Sequence, residues 1–203
     1  MNKPNVLVVV ITKDNVNSQC YHSILQQDYE NFSVLISVVK PKHLHENPVC
    51  EKYLNCSENR NIARRMALAS DAKYFLFVDS DIVLPKNTIS SLISHNRHAI
   101  GGWYQIRDGK RWVAGKWVAD NVFINFKTPD ASVIKTDVVG LGCALISREV
   151  LEKVQFEPGI NVVAENENRE KVIVGECGMF GNRVSEAGYN LYVDGDVICK
   201  HIF

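Results

Sequence analysis

The chain carries no excess charge of either sign. Its 23 Lys and Arg residues are matched by 23 Asp and Glu, for a formal net charge of zero. That removes the global basic field by which nucleic-acid binders collect their ligand, so no nucleic-acid partner is expected. There is no long apolar run either. The longest, Val6 to Ile11, is far short of the roughly 20 residues needed to cross a bilayer. It gives way to Lys13-Asp14, without the longer apolar region and small-residue cleavage site of a signal peptide. The expectation is a soluble, cytoplasmic protein with no membrane span. No C-x-x-C pair occurs among the six cysteines (Cys20, Cys50, Cys56, Cys143, Cys177, Cys199). Reduced thiols are therefore expected, and neither a disulfide framework nor a zinc site. Internal repeats, low-complexity tracts and linkers are also lacking, and 203 residues suit one domain.

What is present is an α/β pattern. Residues 5–11 (NVLVVVI) form a continuous β-branched run, as a strand buried on both faces does. Asn15 or Asn17 caps a following helix to about Gln27, and a second strand is expected from Phe32 to Val39. Lys40 to Cys56 has two prolines and no clear periodicity and reads as a loop. Ser57 then caps a helix to about Ser70, with an apolar stripe of Ile62, Met66 and Ala69 and with Arg60 and Arg64 together on another side. A third strand, Tyr74 to Val78, ends in Asp79-Ser80-Asp81, and Pro85 opens a helix to about His95. The alternation predicts a doubly wound, mostly parallel sheet, whose ligands bind beyond the carboxyl ends of its strands. The second half is less regular. Shorter strands are expected near residues 99–105, 112–118, 122–126 and 141–147, and helices near 148–154 and 177–187. Strands at 189–193 and 197–201 close the chain.

On an extended chain, residues i and i+2 point to the same side, so Asp79 and Asp81 could aim two carboxylates into one pocket. A hard divalent cation, Mg²⁺ or Mn²⁺, would relieve their repulsion and leave positions open for substrate phosphates. An isolated D-x-D is often only a solvated turn. Here it follows a strongly apolar strand, with a basic helix upstream and Thr12 at the end of the first strand. Arg60 and Arg64 are then candidates for phosphate contacts.

These segments resemble the GT-A glycosyltransferases, in particular the family 2-like group, including glycosyltransferase domains of chlorella viruses. VLVVVITKDN is similar to the opening strand that reaches the nucleotide base. ENRNIARRMALASDAKYFLFVDSDIVLP is similar to the approach to the metal-binding D-x-D. DVVGLGCALISREVLEKV and GECGMFGNRVSEAGYNLYVDGDVICKHI are similar to the later segments around the sugar and acceptor. The resemblance implies a GT-A (Rossmann-like) single domain with a central sheet flanked by helices and a smaller mixed sheet in its second half. Residues 1–100 or so would bind the nucleotide, and about 101–203 the acceptor. It implies transfer of a sugar from a nucleotide-sugar donor, a UDP-sugar, to a glycan or other hydroxyl acceptor. Thr12, Asp14, Arg60, Arg64, Asp79 and Ser80 would hold the donor. Asp79, Asp81 and His201 would bind Mn²⁺ or Mg²⁺, imidazole being the more natural ligand for Mn²⁺. Asp81 and Glu176 would act in catalysis.

One departure matters. Inverting members carry Gly-Glu-Asp where this chain has Gly175-Glu176-Cys177. A thiol, with a reference pKa of about 8.5, is a poor substitute for that base. Either Glu176 serves, or no dedicated base exists, as in a retaining enzyme; the second is favoured. As a plain helix N-terminal charge, Glu176 would also satisfy the macrodipole. Other sugar-handling signals are weaker. Gly140-Leu-Gly142 permits close backbone approach or simply a bend. Trp103, Tyr104, Trp112 and Trp117 interleave with Arg107, Lys110, Arg111 and Lys116, with core packing the default for two or more of the rings. His43-Leu-His45-Glu46 reads as solvated surface. Because His201 lies two residues from the end, the chain is expected to be the catalytic part of a longer protein. The rivals are a sugar nucleotidyltransferase, disfavoured because Thr12-Lys-Asp-Asn has no glycine, a phosphatase using the Asp pair, and a non-catalytic nucleotide-sugar or glycan-binding module.

Overall fold

The computed structural model describes residues 3–40, 42–130, 132–166 and 169–202. The order of elements through the first half is β1 (Val6–Thr12), α1 (Ser18–Leu25), β2 (Phe32–Val38), α2 (Pro48–Leu68), β3 (Tyr74–Asp79), β4 (Ile82–Val83), α3 (Thr88–Ser94) and β5 (Ala99–Trp103). There follow β6 (Gly115–Ala119), β7 (Val122–Asn125), β8 (Val133–Thr136), β9 (Cys143–Ser147), α4 (Arg148–Lys153), β10 (Gly159–Glu165), β11 (Lys171–Val174), α5 (Glu176–Glu186), β12 (Leu191–Ile198) and β13 (Lys200–His201). Among the described residues, no helix is long and apolar enough to cross a membrane.

The central sheet has the order β2-β1-β3-β9-β5-β12-β8. The expected parallel arrangement holds for β2-β1-β3 and for β5 with β12, while β9 and β8 join antiparallel. A smaller mixed sheet, β11-β10-β7-β6, lies in the second half. A two-residue antiparallel ladder pairs β13 with β4, Lys200 with Val83 and His201 with Ile82.

Helices cover both faces of the central sheet, which is why its inner strands are continuously apolar instead of alternating. Leu7 and Val9 of β1 join the core that holds Ala63, Phe75, Phe77, Phe156 and Phe180. Val6, Val8 and Val10 face the other core, with Ile24, Leu76, Ile89 and Leu92. The period of two is visible only in which core each residue enters.

Two expectations about α2 are corrected. It begins at Pro48, inside the segment read as a loop, because the Asn47 side chain accepts the Val49 N–H at 2.9 Å. Pro48 then occupies the first turn, where a missing N–H costs nothing. Its buried face is also different. Met66 is 46% exposed, whereas Arg60 (4% exposed), Ala63 and Ala67 are buried. Ser57, expected as the cap, is a buried residue inside the helix.

Candidate active site

Ile11 of β1 lies beside Asp79 of β3 in a parallel pair, so Thr12 and Asp79 finish at the same edge of the sheet. The chain turns at once through Ser80 and Asp81. Distant segments hold this turn. The Ser80 carbonyl accepts the Asn17 N–H at 3.0 Å, the Asp79 N–H donates to the Gly142 carbonyl at 3.2 Å, and the Asp81 carbonyl accepts the Ile202 N–H at 2.9 Å. Beneath it the Cys20 thiol donates to the Asp79 carbonyl at 3.6 Å. Burial pushes that thiol up to about 12, so it stays protonated.

Because the backbone turns at Ser80, the same-side relation of an extended strand does not extend to the Asp pair. The two carboxylates take different partners. Asp79 Oδ1 accepts from Arg60 Nη2 at 2.8 Å. Arg60 also donates from Nη1 to the Leu141 carbonyl at 3.2 Å, and its Nε lies 4.0 Å from Glu176 Oε1. Burial alone would lower the guanidinium pKa, but the carboxylates of Asp79 and Glu176 outweigh burial and raise it. Arg60 is a permanent buried cation between two acids. Glu176 opens α5 with only 11% of its side chain exposed. Burial raises its carboxyl above the ordinary range, and Arg60 offsets that only in part. The neighbouring Cys177 thiol is raised by burial first and by Glu176 second, so it is neutral.

Asp81 faces the other way. Its Oδ2 lies 3.3 Å from His201 Nε2 and 3.2 Å from Arg107 Nη2. The His201 Nδ1–H donates to the Gln105 carbonyl at 2.8 Å. In neutral imidazole the lone pair at Nε2 then points at a carboxylate, an acceptor facing an acceptor. Either a proton or a cation must lie between them. With a proton there the two form an ion pair; without one they would serve as two ligands of a divalent ion that takes the rest from water or phosphate. Among the described residues, no cluster of three or more His, Cys, Asp or Glu is arranged to hold a metal. Asp79, tied to Arg60, does not complete a set with Asp81 and His201.

Tyr104 and Gly142 link the two halves. The buried Tyr104 hydroxyl accepts the Gly142 N–H at 2.9 Å, and its ring meets His201 edge-on at 5.8 Å between centroids. A Cβ on Gly142 would sit 2.8 Å from both Asp79 Oδ2 and the Tyr104 hydroxyl. Gly142 is thus a packing requirement of the site.

Solved structures share this architecture. The chain matches A197 from STIV with a TM-score of 0.64 at 18% identity, covering 98% of this chain and 86% of that one. It matches GalNAc-T7, solved with UDP, GalNAc and Mn²⁺, at 0.64 and 14%, covering 98% and 43%. It matches residues 1–349 of TarS from S. aureus at 0.56 and 15%, covering 98% and 60%. The fold is GT-A. At these identities the likeness establishes the fold alone. No protein-family model and no curated protein matches the sequence. The chain spans less than two thirds of the GalNAc-T7 and TarS chains.

On this GT-A frame the expected residues separate into groups. Asp79, Arg60 and Glu176 form one, and Asp81 with His201 a second. Thr12 is buried at the strand end, its hydroxyl donating to the Asn15 carbonyl at 2.8 Å, and Asp14 is exposed beside it. Ser80 sits between the two acids in the turn. Arg64 lies away from all of these. Its Nε and Nη2 donate to the Leu151 and Glu152 carbonyls at 2.6 and 3.0 Å, satisfying the end of α4. Trp103 and Tyr104 are core residues, as the default for large rings has it. The site also includes Arg107, which sequence reading placed only among the basic residues interleaved with Trp103, Tyr104, Trp112 and Trp117. Arg107 lies in the turn between Gln105 and Trp112, where Gly109 takes a positive φ.

Proposed function

We propose that this chain is a metal-dependent glycosyltransferase that moves a sugar from a nucleotide diphosphate donor, a UDP-sugar, onto a glycan or other hydroxyl acceptor. The observation that carries this reading is the facing pair of Asp81 Oδ2 and His201 Nε2 beyond the strand ends of a GT-A fold. The presence of UDP, GalNAc and Mn²⁺ in the GalNAc-T7 structure supports the same donor chemistry. Residues up to about 100 supply most of the nucleotide contacts, joined by His201 at the metal, and the rest of the second half binds the acceptor. Six free cysteines suit a cytoplasmic setting.

In transfer, the bond from the anomeric carbon to the leaving phosphate oxygen breaks and its electron pair stays on that oxygen. The acceptor oxygen bonds to the anomeric carbon and gives up its proton. Asp81 and His201 would hold Mn²⁺ or Mg²⁺, which supplies Lewis-acid stabilisation of the developing phosphate charge. Arg60 pairs with Asp79 and partly offsets the cost of burying the Glu176 carboxylate. With Glu176 enclosed beside Arg60 and a neutral thiol at Cys177, we favour the retaining course. There the leaving phosphate oxygen takes the acceptor proton and no protein base is needed.

The test is calorimetric titration of UDP- and GDP-sugars with and without Mn²⁺, on the native chain and on Asp81→Ala. Mn²⁺-dependent binding of a UDP-sugar that Asp81→Ala abolishes is expected. Binding indifferent to both metal and Asp81 would remove the metal reading. Slow hydrolysis of the bound donor separates the enzyme from a binding module, and the anomeric configuration of the product decides the stereochemistry.

A further inference from the structure

Arg107 stands where a metal ion would approach Asp81. Its Nη2 lies 3.2 Å from the carboxylate oxygen, Oδ2, that His201 Nε2 also faces. Metal–oxygen distances are about 2.1 Å, so a cation on that oxygen would sit within about 5 Å of the guanidinium. The two positive charges compete for one carboxylate oxygen.

The hairpin that carries Arg107 is held by its own hydrogen bonds, whereas the side chain is exposed and bonded to Asp81. Ile106 N–H donates to the Arg111 carbonyl and Gly109 N–H to the Ile106 carbonyl, both at 2.9 Å. Asp108 accepts from the Lys110 and Arg111 N–H groups at 2.9 and 3.1 Å and from Arg111 Nε at 2.7 Å. These contacts hold its carboxyl down at about 2, so it stays ionised. At the hairpin base the Gln105 carbonyl receives the His201 Nδ1–H, so the backbone beside Arg107 is registered to the proposed metal ligand. The Arg107 side chain itself is 76% exposed, and an ion pair so exposed is readily exchanged. A guanidinium released from Asp81 by an incoming cation would be left next to that cation, where only an anion offsets the repulsion. Its planar fork matches phosphate oxygens.

We propose that Arg107 is the resting counter-ion of Asp81 and becomes a ligand of the donor's diphosphate when metal binds. Metal and nucleotide then enter together, because either alone leaves one charge uncompensated. The inference rests on the metal-dependent donor site proposed above and adds a residue and an order of events to it.

Arg107→Ala separates the two roles, since the change touches an exposed side chain. Mn²⁺ binding is read from the free-ion electron paramagnetic resonance signal, with and without UDP, on the native chain, Arg107→Ala and Asp81→Ala. Relative to the native chain, Arg107→Ala should bind Mn²⁺ alone several-fold tighter, yet bind UDP in saturating Mn²⁺ about tenfold weaker, as loss of a charge-assisted phosphate contact implies. UDP should tighten Mn²⁺ binding in the native chain and much less in Arg107→Ala. If the native chain binds Mn²⁺ and UDP but Arg107→Ala leaves Mn²⁺ affinity equal or weaker, the competition at Asp81 is wrong while the donor site stands. Unchanged UDP affinity in Arg107→Ala would remove the diphosphate role. A native chain that binds neither Mn²⁺ nor UDP overturns this proposal together with the function it rests on.

Discussion

Replacing Arg60 by methionine keeps most of the buried volume and removes the charge, so it isolates what the guanidinium contributes. Deleting one partner of a buried ion pair costs about 3–5 kcal/mol. The Asp79 side chain is 35% exposed, so its share of that loss is screened towards the surface value of about 0–1 kcal/mol. Glu176 has no such relief, and the Leu141 carbonyl loses its 3.2 Å partner. About 3 kcal/mol is expected at pH 7, a large part of a typical stability of about 5–15 kcal/mol. The pH dependence gives the argument its sign. Glu176 is already raised by burial, and losing Arg60 raises it further. Its unfolded value is near 4.3. Between the unfolded and folded values the native state binds more protons, so the carboxylate's penalty is full above the folded value and relieved on acidification. The deficit of Arg60→Met should therefore shrink between pH 7 and pH 5 in urea unfolding followed by circular dichroism. Arg60→Met/Glu176→Gln should recover a good part of it at pH 7. A loss below about 1 kcal/mol, or one independent of pH and of Glu176, would refute the buried-hub account.

Gly142→Ala places a Cβ 2.8 Å from Asp79 Oδ2 and from the enclosed Tyr104 hydroxyl. Asp79 is the partner able to move, so about 1 kcal/mol of stability is expected to go, at the low end for overpacking. The loss of transfer rate should be larger, and a native rate in this variant would show that the Asp79 position does not matter. Arg64→Ala removes bonds of 2.6 and 3.0 Å to α4. It should cost about 1 kcal/mol by denaturation and leave UDP affinity unchanged. A tenfold weaker UDP affinity would return Arg64 to the nucleotide site.

The sequence was most legible where one physical demand dominated. β1 and β3 are enclosed on both faces, and their unbroken apolar runs mark strands that feed a polar turn. Side-chain chemistry at a helix start narrowed the α1 cap to Asn15 or Asn17, and it is Asn17. Reading failed at α2 because this helix turns Asn55, Ser57, Asn59 and Arg60 inward, towards the site and the adjoining loops. A buried face that mixes these polar groups with the small residues Cys50, Ala63 and Ala67 shows only a weak apolar stripe, and the exposed Met66 supplied a false one. Asn61 shows the same effect, its amide exchanging two hydrogen bonds with the Phe156 backbone at 2.7 and 3.0 Å. Strands β8 and β11 escaped notice because they are four residues each and carry Lys135 and Lys171, and β10, though seven residues long, was not recognised either. Of the partners of Asp79 and Asp81, Arg60 was expected only at phosphate, and His201 only through the family resemblance. They lie 19 and 120 positions along the chain, and local pattern carries no information about such meetings.

The β4–β13 ladder places His201 opposite Ile82, next to Asp81, with only two residue pairs. So short a clasp lies at the low end of local stability, well below the interior strands. Its rupture would part His201 from Asp81 while the seven-stranded sheet stayed whole. On the proposed function, metal binding would then have its own melting behaviour, lost in dilute denaturant before the seven-stranded sheet unfolds.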